Sequence, residues 1–229
     1  MAALFNTYLY QPILAVLIFI YQNISFGDLG VAIILLTVLV RIVLFPLFYK
    51  GAKDQTIAQR LQPKIKQIQV EHKENKEKQA EALMALYKEH KFNPLSGILL
   101  LLVQLPVFIA LFQIFRKELG AEVFGNQMLF GLIDVGAKSI IIVIIAAGLQ
   151  FLQGKLSLPP EKKGADAGAN PLASAGKIMI YVGPLFTVLI LMNLPAGIGI
   201  YWIVTTLISV IQQAYINAKL AKADAAVAH

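Results

Sequence analysis

The chain has 229 residues, of which 58% are hydrophobic and only 14% are charged, and its formal net charge at pH 7 is +7. This composition excludes an ordinary soluble domain and is typical of a helical membrane protein. In such a chain, the positive-inside rule explains an excess of basic residues better than nucleic-acid binding does. The sequence contains no cysteine, which excludes disulfides and thiolate metal sites.

The first apolar stretch, Ile13–Tyr21, predicts a helix over residues 9–25 that lies at the membrane surface. Pro12 suits the first turn of such a helix. Roughly a dozen apolar residues are fewer than the ~20 that a spanning helix needs. The stretch also lacks the basic segment and the small-residue cleavage site of a signal peptide. We therefore expect an amphipathic, interfacial helix here.

Five later segments are apolar enough to cross a bilayer as helices, and they are residues 31–50, 94–116, 138–154, 177–193 and 196–216. The first and third loops between these segments are rich in lysine and arginine, and the second loop has few. By the positive-inside rule, the two basic loops and the C-terminus lie in the cytoplasm and the N-terminus lies outside. The sequence therefore predicts a multi-pass, all-α membrane protein with five spans.

The first basic loop, residues 51–92, carries two apolar stripes at helical spacing. One stripe is Ile57, Leu61, Ile65 and Ile68, and the other is Ala80, Leu83, Met84 and Tyr87. A charged stretch at 70–76 separates them and predicts a turn, so we expect a cytoplasmic helical hairpin. Pro63 should bend its first helix or restart it. A solvated linker that only sets topology is the alternative. The second basic loop, 155–176, has linker composition.

Arg41 lies near the middle of the first predicted span. Holding a guanidinium at that depth costs at least ~3 kcal/mol, and such a residue normally faces a bundle interior or a water-filled cavity. None of the five predicted spans contains Asp or Glu, so the usual counter-charge is missing from them. Neutral polar residues could line a hydrated cavity instead, and these are Thr37, Gln104, Gln150, Tyr201, Trp202, Thr205, Ser209 and Gln212. Each of them could equally serve only to join two helices.

The sequence offers no pattern for catalysis. His72, His90 and His229 are scattered, and none has the neighbours of a metal site. No serine has a histidine partner at membrane depth, and no glycine loop suits a phosphate. We therefore predict neither an enzyme nor a metal or cofactor site.

Several motifs resemble those of the YidC-type membrane protein insertases, whose relatives include the mitochondrial oxidase-assembly and chloroplast Albino insertases. The segment Leu35–Leu47 resembles the first core helix of that family with its groove arginine. Further similar segments, in the same order as in the family, are Leu61–Ile65, Ala85–Leu95, Leu102–Phe108, Leu194–Trp202 and Ile211–Gln213. The resemblance covers nearly the whole chain from Gln11 onwards.

The resemblance implies a single insertase core over residues 1–229, with a hydrophilic groove open to the cytoplasm and to lipid. In such a groove, Arg41 and the neutral polar residues would contact the acidic or polar leading segment of a nascent membrane protein. The cytoplasmic hairpin would recruit partners through the residues at its tip, which are Gln69, Glu71, Lys73 and Lys76. The ribosome, the signal recognition machinery and a translocon are the candidate partners, and the location would be a bacterial inner membrane.

The sequence also differs from fuller members of that family. It carries no large extracytoplasmic domain and no preceding signal anchor, so we expect a minimal core. Two other functions remain open. One is a small channel or transporter that uses Arg41 for an anionic solute, although no inverted repeat is visible. The other is a passive assembly chaperone without a translocation step.

Overall fold

The computed structural model describes residues 2–91, 93, 95–119, 123–157 and 171–227. Within them the chain is almost entirely helical, and one short antiparallel hairpin joins two of the helices. The elements in chain order are α1 (Ala2–Phe5), a π-helical turn (Asn6–Tyr10), α2 (Gln11–Asn23), α3 (Leu29–Val43), α4 (Phe45–Glu71), α5 (Lys76–Glu89), α6 (Ser96–Glu118), β1 (Met128–Leu129), β2 (Ile133–Asp134), α7 (Ile140–Ser157), α8 (Pro171–Leu191) and α9 (Ala196–Val227).

The N-terminal helical segment begins earlier than the predicted residue 9. It runs without a break from α1 through the π-helical turn into α2, and residues 3–23 are long and apolar enough to cross a membrane. Counting only Ile13–Tyr21 underestimated its length, because Tyr8 and Tyr10 are also compatible with a helix in an apolar setting. Leu17 and Ile20 are buried in the core, so one face of this segment is packed against the rest of the molecule.

The predicted span over residues 31–50 is not one continuous helix, because the chain bends sharply inside it. α3 ends at Val43 and α4 starts at Phe45, and the two helix axes differ in direction by 72°. Pro46 stands in the first turn of α4, where its missing N–H is tolerated, whereas in the middle of one continuous helix it would remove a hydrogen bond. The bend therefore follows from Pro46.

Three helical segments among the described residues are long and apolar enough to span a bilayer, namely residues 3–23, 140–157 and 196–222. The bent pair of α3 and α4 would be a fourth if it counts as one span. The chain is thus a helical protein with three to four candidate spans on this criterion. Spans in α6 and α8, and the total of five, stay predictions.

α4 and α5 pack against each other and are joined by a turn of four residues, 72–75, inside the stretch predicted to turn. The Asn75 side chain accepts a hydrogen bond from Lys78 N and so caps the start of α5. Gln79 Nε2 donates to Gln69 O across the pair. Pro63 lies inside α4, which continues through it instead of restarting.

The later helices extend beyond their predicted ends. α7 continues to Ser157 and α8 already begins at Pro171, so the described part of the predicted loop 155–176 is helical at both ends, and residues 158–170 lie outside the described residues. α9 continues past residue 216 to Val227 because its alanine- and lysine-rich tail favours helix.

The segment between α6 and α7 closes one end of the bundle, although the sequence predicts only a loop there. Val135 is fully buried, and its carbonyl accepts a hydrogen bond from Gly197 N at the start of α9. A side chain at Gly197 would overlap Phe115 of α6 as well as Val135. α6, α9 and the β1–β2 hairpin therefore meet in close contact at this end.

Candidate functional site

Arg41 lies on α3 with 7% of its surface exposed, and its side chain reaches α9. Nη2 donates to Thr205 O at 2.7 Å and to Ser209 Oγ at 2.6 Å. Ser209 Oγ in turn donates to Thr205 O, so one hydroxyl and one carbonyl hold the same nitrogen. Hydrogen bonds to a charged group are stronger than neutral ones. Arg41 is therefore fixed in place by a helix that is distant from it in sequence.

The bend at Leu44 brings α4 back over the guanidinium. Phe48 of α4 is buried, and its ring centroid lies 4.1 Å from Arg41 Cζ, which is close enough for a cation–π contact. Nε of Arg41 is buried and has no hydrogen-bond partner. Among the described residues, no partner of Arg41 is a carboxylate. The guanidinium thus keeps its full positive charge and a spare donor.

An open cavity of about 370 Å³ lies beside Arg41. Apart from the arginine, its lining is apolar and consists of Val38, Ile42, Phe45 and Ile208. These side chains come from α3, from the start of α4 and from α9. The cavity therefore offers one cation among hydrocarbon walls, which suits an apolar group carrying a neighbouring negative charge better than a small, fully hydrated anion.

The polar residues of α9 follow a spacing of four and contact four other helices, since Thr205 and Ser209 share Arg41 of α3. Successive members are neighbours on the helix surface, and because a turn takes about 3.6 residues, the row winds gradually around α9. The members of this stripe are Tyr201, Thr205, Ser209, Gln213 and Asn217. The predicted stripe contained Gln212 in place of the last two. Gln212 is buried, and its Nε2 has no hydrogen-bond partner.

At the first level of the stripe, Tyr201 is buried and accepts a hydrogen bond from Gln104 Nε2 of α6. Phe108 packs against the Tyr201 ring and also meets the ring of Trp202 edge-on. The structure thus joins the predicted residues Gln104 and Tyr201 by a hydrogen bond, and a phenylalanine that the sequence analysis missed packs against Tyr201 and Trp202.

At the other end of the stripe, a polar network joins α9 to two further helices. Gln213 Nε2 donates to Thr56 Oγ1 of α4 at 2.8 Å and to Asn217 Oδ1 at 3.0 Å. Asn217 Nδ2 donates to Leu156 O of α7 at 2.8 Å. The sequence analysis missed Thr56 and Asn217, although extending the four-residue spacing beyond Ser209 would have found Gln213 and Asn217.

The remaining predicted residues lie elsewhere. Thr37 is buried, but its hydroxyl donates to Ile33 O of its own helix. Gln150 of α7 lies beside Gly183 of α8, so its described neighbours are not those of Arg41. The four predicted recruitment residues are exposed around the α4–α5 turn, and they are Gln69, Glu71, Lys73 and Lys76.

Taken together, the fold and this site define a helical membrane protein in which a cationic side chain is buried between apolar helices without a carboxylate partner among the described residues. Known proteins with similar sequences narrow this class. The family profile of the 60Kd inner membrane protein matches residues 19–223. The chain therefore belongs to this family, which includes the YidC insertases that the sequence motifs resemble.

Three relatives illustrate the similarity, and each is named membrane protein insertase YidC. The protein from Magnetococcus marinus is 35% identical over 215 residues, which cover 93% of this chain and 36% of that protein. The protein from Nitratidesulfovibrio vulgaris strain DP4 is 34% identical over 217 residues, with 91% and 38% covered. The protein from Geobacter sulfurreducens is 33% identical over 201 residues, with 87% and 35% covered. The chain spans little more than a third of the length of these relatives.

Proposed function

We propose that the chain forms one membrane insertase core, which inserts nascent membrane proteins and assists their folding without hydrolysing nucleotide. The observation that carries this proposal is the buried Arg41, held by Thr205 and Ser209 and opened on one side to an apolar cavity. The insertase names of the relatives support the same conclusion. The proposal contains no catalytic residue, metal or cofactor.

The groove would comprise the predicted residues, with Arg41 at its centre. An acidic or polar leading segment of the substrate would enter it, because a carboxylate is attracted to a guanidinium far more strongly in a low-dielectric site than in water, although desolvation offsets part of the gain. The apolar segment behind it would then pass into lipid. Transfer of ~20 apolar residues into hydrocarbon is downhill, so no nucleotide is needed.

We further propose five spans, formed by α3 with the start of α4, and by α6, α7, α8 and α9. The basic residues of the α4–α5 hairpin and of the loop after α7 would place both in the cytoplasm, with the N-terminus outside, in the plasma membrane of a bacterium. The exposed tip residues of the hairpin would meet the ribosome, the signal recognition machinery or a translocon.

The N-terminal helical segment would lie along the outer surface although it is long enough to span. Two tyrosines, one near the middle of the segment and one near its C-terminal end, support this orientation. Tyr10 Oη donates to Glu118 at the end of α6, and Tyr21 Oη accepts a hydrogen bond from Asn126 N in the loop that follows. The two tyrosines are 11 residues apart, about 17 Å along a helix. A spanning segment would carry these contacts to depths about 17 Å apart, whereas their partners lie at the end of α6 and in the loop just after it.

Reconstitution of the purified chain into liposomes tests the proposal. A single-spanning substrate with an acidic leading segment should gain protection from protease without ATP. Arg41→Ala should reduce this insertion at least tenfold, and Arg41→Lys should retain part of it, because lysine keeps the charge but loses the forked donors and the stacking on Phe48. Arg116→Ala is the matched control, since this arginine is exposed at the end of α6.

Each competing function gives a different result in that experiment. Anion flux through the liposomes without insertion would contradict the proposal and indicate a channel or transporter. Substrate folding without protease protection would indicate a passive chaperone. If Arg41→Ala inserts acidic substrates as well as the parent chain, the charge-attraction mechanism is wrong.

A further inference from the structure

Three bulky apolar side chains project from the loops at the end of the bundle where α3 begins. Phe26 is 101% exposed, Phe130 69% and Leu132 83%. Phe26 lies in the turn between α2 and α3, and the other two lie at the tip of the β1–β2 hairpin. Large apolar side chains grouped on a surface indicate an interaction site. We call these three residues the loop anchor.

A single carboxylate holds the two loops of the anchor together. Asp28 Oδ1 accepts a hydrogen bond from Val31 N at 2.8 Å and caps the start of α3. Its Oδ2 accepts one from Phe130 N at 2.6 Å. Leu129, next to Phe130, packs so closely on Gly30 that a Cβ there would lie 2.4 Å from Leu129 Cβ. The hairpin tip is therefore tied to the first turn of α3.

The backbone at both phenylalanines adopts the left-handed conformation, with φ of 53° at Phe26 and 52° at Phe130. Bulky residues rarely adopt this conformation, and it persists only where the surroundings impose it. Asp28 imposes it at the hairpin tip through the amide of Phe130 itself. Both rings are exposed, so the strained backbone is not maintained by burial of the rings inside the protein.

We propose that the loop anchor inserts into the headgroup region of the bilayer. The exposed apolar surface continues from the anchor to Ile24, just after α2, and to Phe19 within α2, and this continuity favours lipid over a protein partner. Phenylalanine and leucine are typical of surfaces that bury themselves at the boundary between headgroups and acyl chains. Because Asp28 ties the anchor to α3, the anchor sets the depth of Arg41, which lies 13 residues further on, about 20 Å along a helix.

Tryptophan fluorescence in liposomes tests this proposal. The single native tryptophan is first removed as Trp202→Phe, and Phe26→Trp, Phe130→Trp and Leu132→Trp are then introduced one at a time. Ile144→Trp, on the exposed apolar face of α7, reports the membrane interior, and Lys73→Trp, at the exposed α4–α5 turn, reports water.

Phospholipids brominated high on the acyl chain should quench the three anchor tryptophans at least twofold more than they quench Lys73→Trp, and lipids brominated deep in the chain should quench Ile144→Trp most. A nitroxide on Phe130→Cys provides a second measurement, and it should collide more often with oxygen than with an aqueous nickel complex. If the anchor tryptophans behave like Lys73→Trp and the nitroxide is accessible to nickel, the anchor does not contact lipid, and a protein partner becomes the explanation.

Discussion

Burial of the Arg41 charge is costly, and the contacts of this residue organise the helices around it. Its guanidinium is bound through Nη2 by α9 and covered by Phe48 of α4, so it joins two consecutive helices, α3 and α4, to a third that is distant in sequence. It still has an unpaired Nε and an open cavity on one side. A buried charge with incomplete pairing is a destabilised feature of the resting protein. Such a feature is expected where a substrate supplies the missing partner.

Ser209→Ala tests how firmly α9 holds this arginine. Removal of the hydroxyl leaves Arg41 Nη2 with Thr205 O alone, and a hydrogen bond to a charged group contributes ~1.5–3 kcal/mol. We expect a loss of stability in that range. Thermal unfolding in detergent, followed by far-UV circular dichroism, measures it.

Thr187→Val is the control for this change, because the Thr187 hydroxyl bonds only to Gly183 O of its own helix. Such a bond within a helix contributes little, so this variant should unfold close to the parent temperature. Equal losses in Ser209→Ala and Thr187→Val would mean that the contact with Arg41 adds no stability.

At the level of elements, α9 connects the other helices of the bundle. The first level of its polar stripe bonds to α6, the middle levels hold Arg41 of α3, and the last levels bond to α4 and α7. Polar contacts between helices in lipid contribute ~0.6–2 kcal/mol each, so the stripe as a whole stabilises the bundle. Because a turn of helix takes about 3.6 residues, a repeat of four residues winds gradually around α9, which explains why the stripe reaches several helices.

The contact between α3 and the β1–β2 hairpin is a second element-level feature and can be tested by comparing two glycines. Gly30→Ala should lower stability by about 1–3 kcal/mol, because its Cβ would overlap Leu129, including the backbone Cα at 2.9 Å. Gly148→Ala in α7 should leave stability unchanged or raise it by up to about 1 kcal/mol, since a Cβ there meets nothing within 4 Å.

Denaturant titration of both variants in the same detergent measures the difference. Because the two substitutions are expected to change stability in opposite directions, the comparison separates the packing against Leu129 from the general effect of replacing a helical glycine. If Gly30→Ala is as stable as Gly148→Ala, the hairpin yields easily and is not packed firmly on α3.

At the scale of the whole molecule, the orientation of the N-terminal helical segment in the membrane can be tested directly. The sequence contains no cysteine, so single cysteines can be introduced directly. Leu4→Cys and Asn23→Cys stand near the two ends of this segment, and both positions are exposed. A membrane-impermeant maleimide should label both from the same side of the bilayer if the segment lies flat.

Lys73→Cys, at the α4–α5 turn, identifies the opposite side in the same experiment. If Leu4→Cys is labelled from the same side as Lys73→Cys, while Asn23→Cys is labelled from the other side, residues 3–23 cross the membrane. The proposed interfacial orientation would then be wrong, whereas the contacts around Arg41 would be unaffected.

Much of this arrangement is readable from local patterns. The apolar runs predict where most helices lie, because hydrophobicity over ~20 residues is a local property. The cost of Arg41 at membrane depth marks it as a site before any contact is known. The turn between α4 and α5 follows from a charged stretch between two apolar stripes. By contrast, the early start of the N-terminal helix was missed, since its first residues have no distinctive pattern.

The sequence by itself determined the helical membrane class and the family, and it singled out Arg41, the residue at the centre of the candidate site. Only the tertiary structure decided which polar side chains meet there. The bend at Leu44 brings Phe48 onto the guanidinium, and helix packing selects Thr205 and Ser209 as its ligands while Gln150 lies against α8. These contacts depend on the bend and on crossing angles, and those with Thr205 and Ser209 join residues more than 150 positions apart, so no local pattern records them.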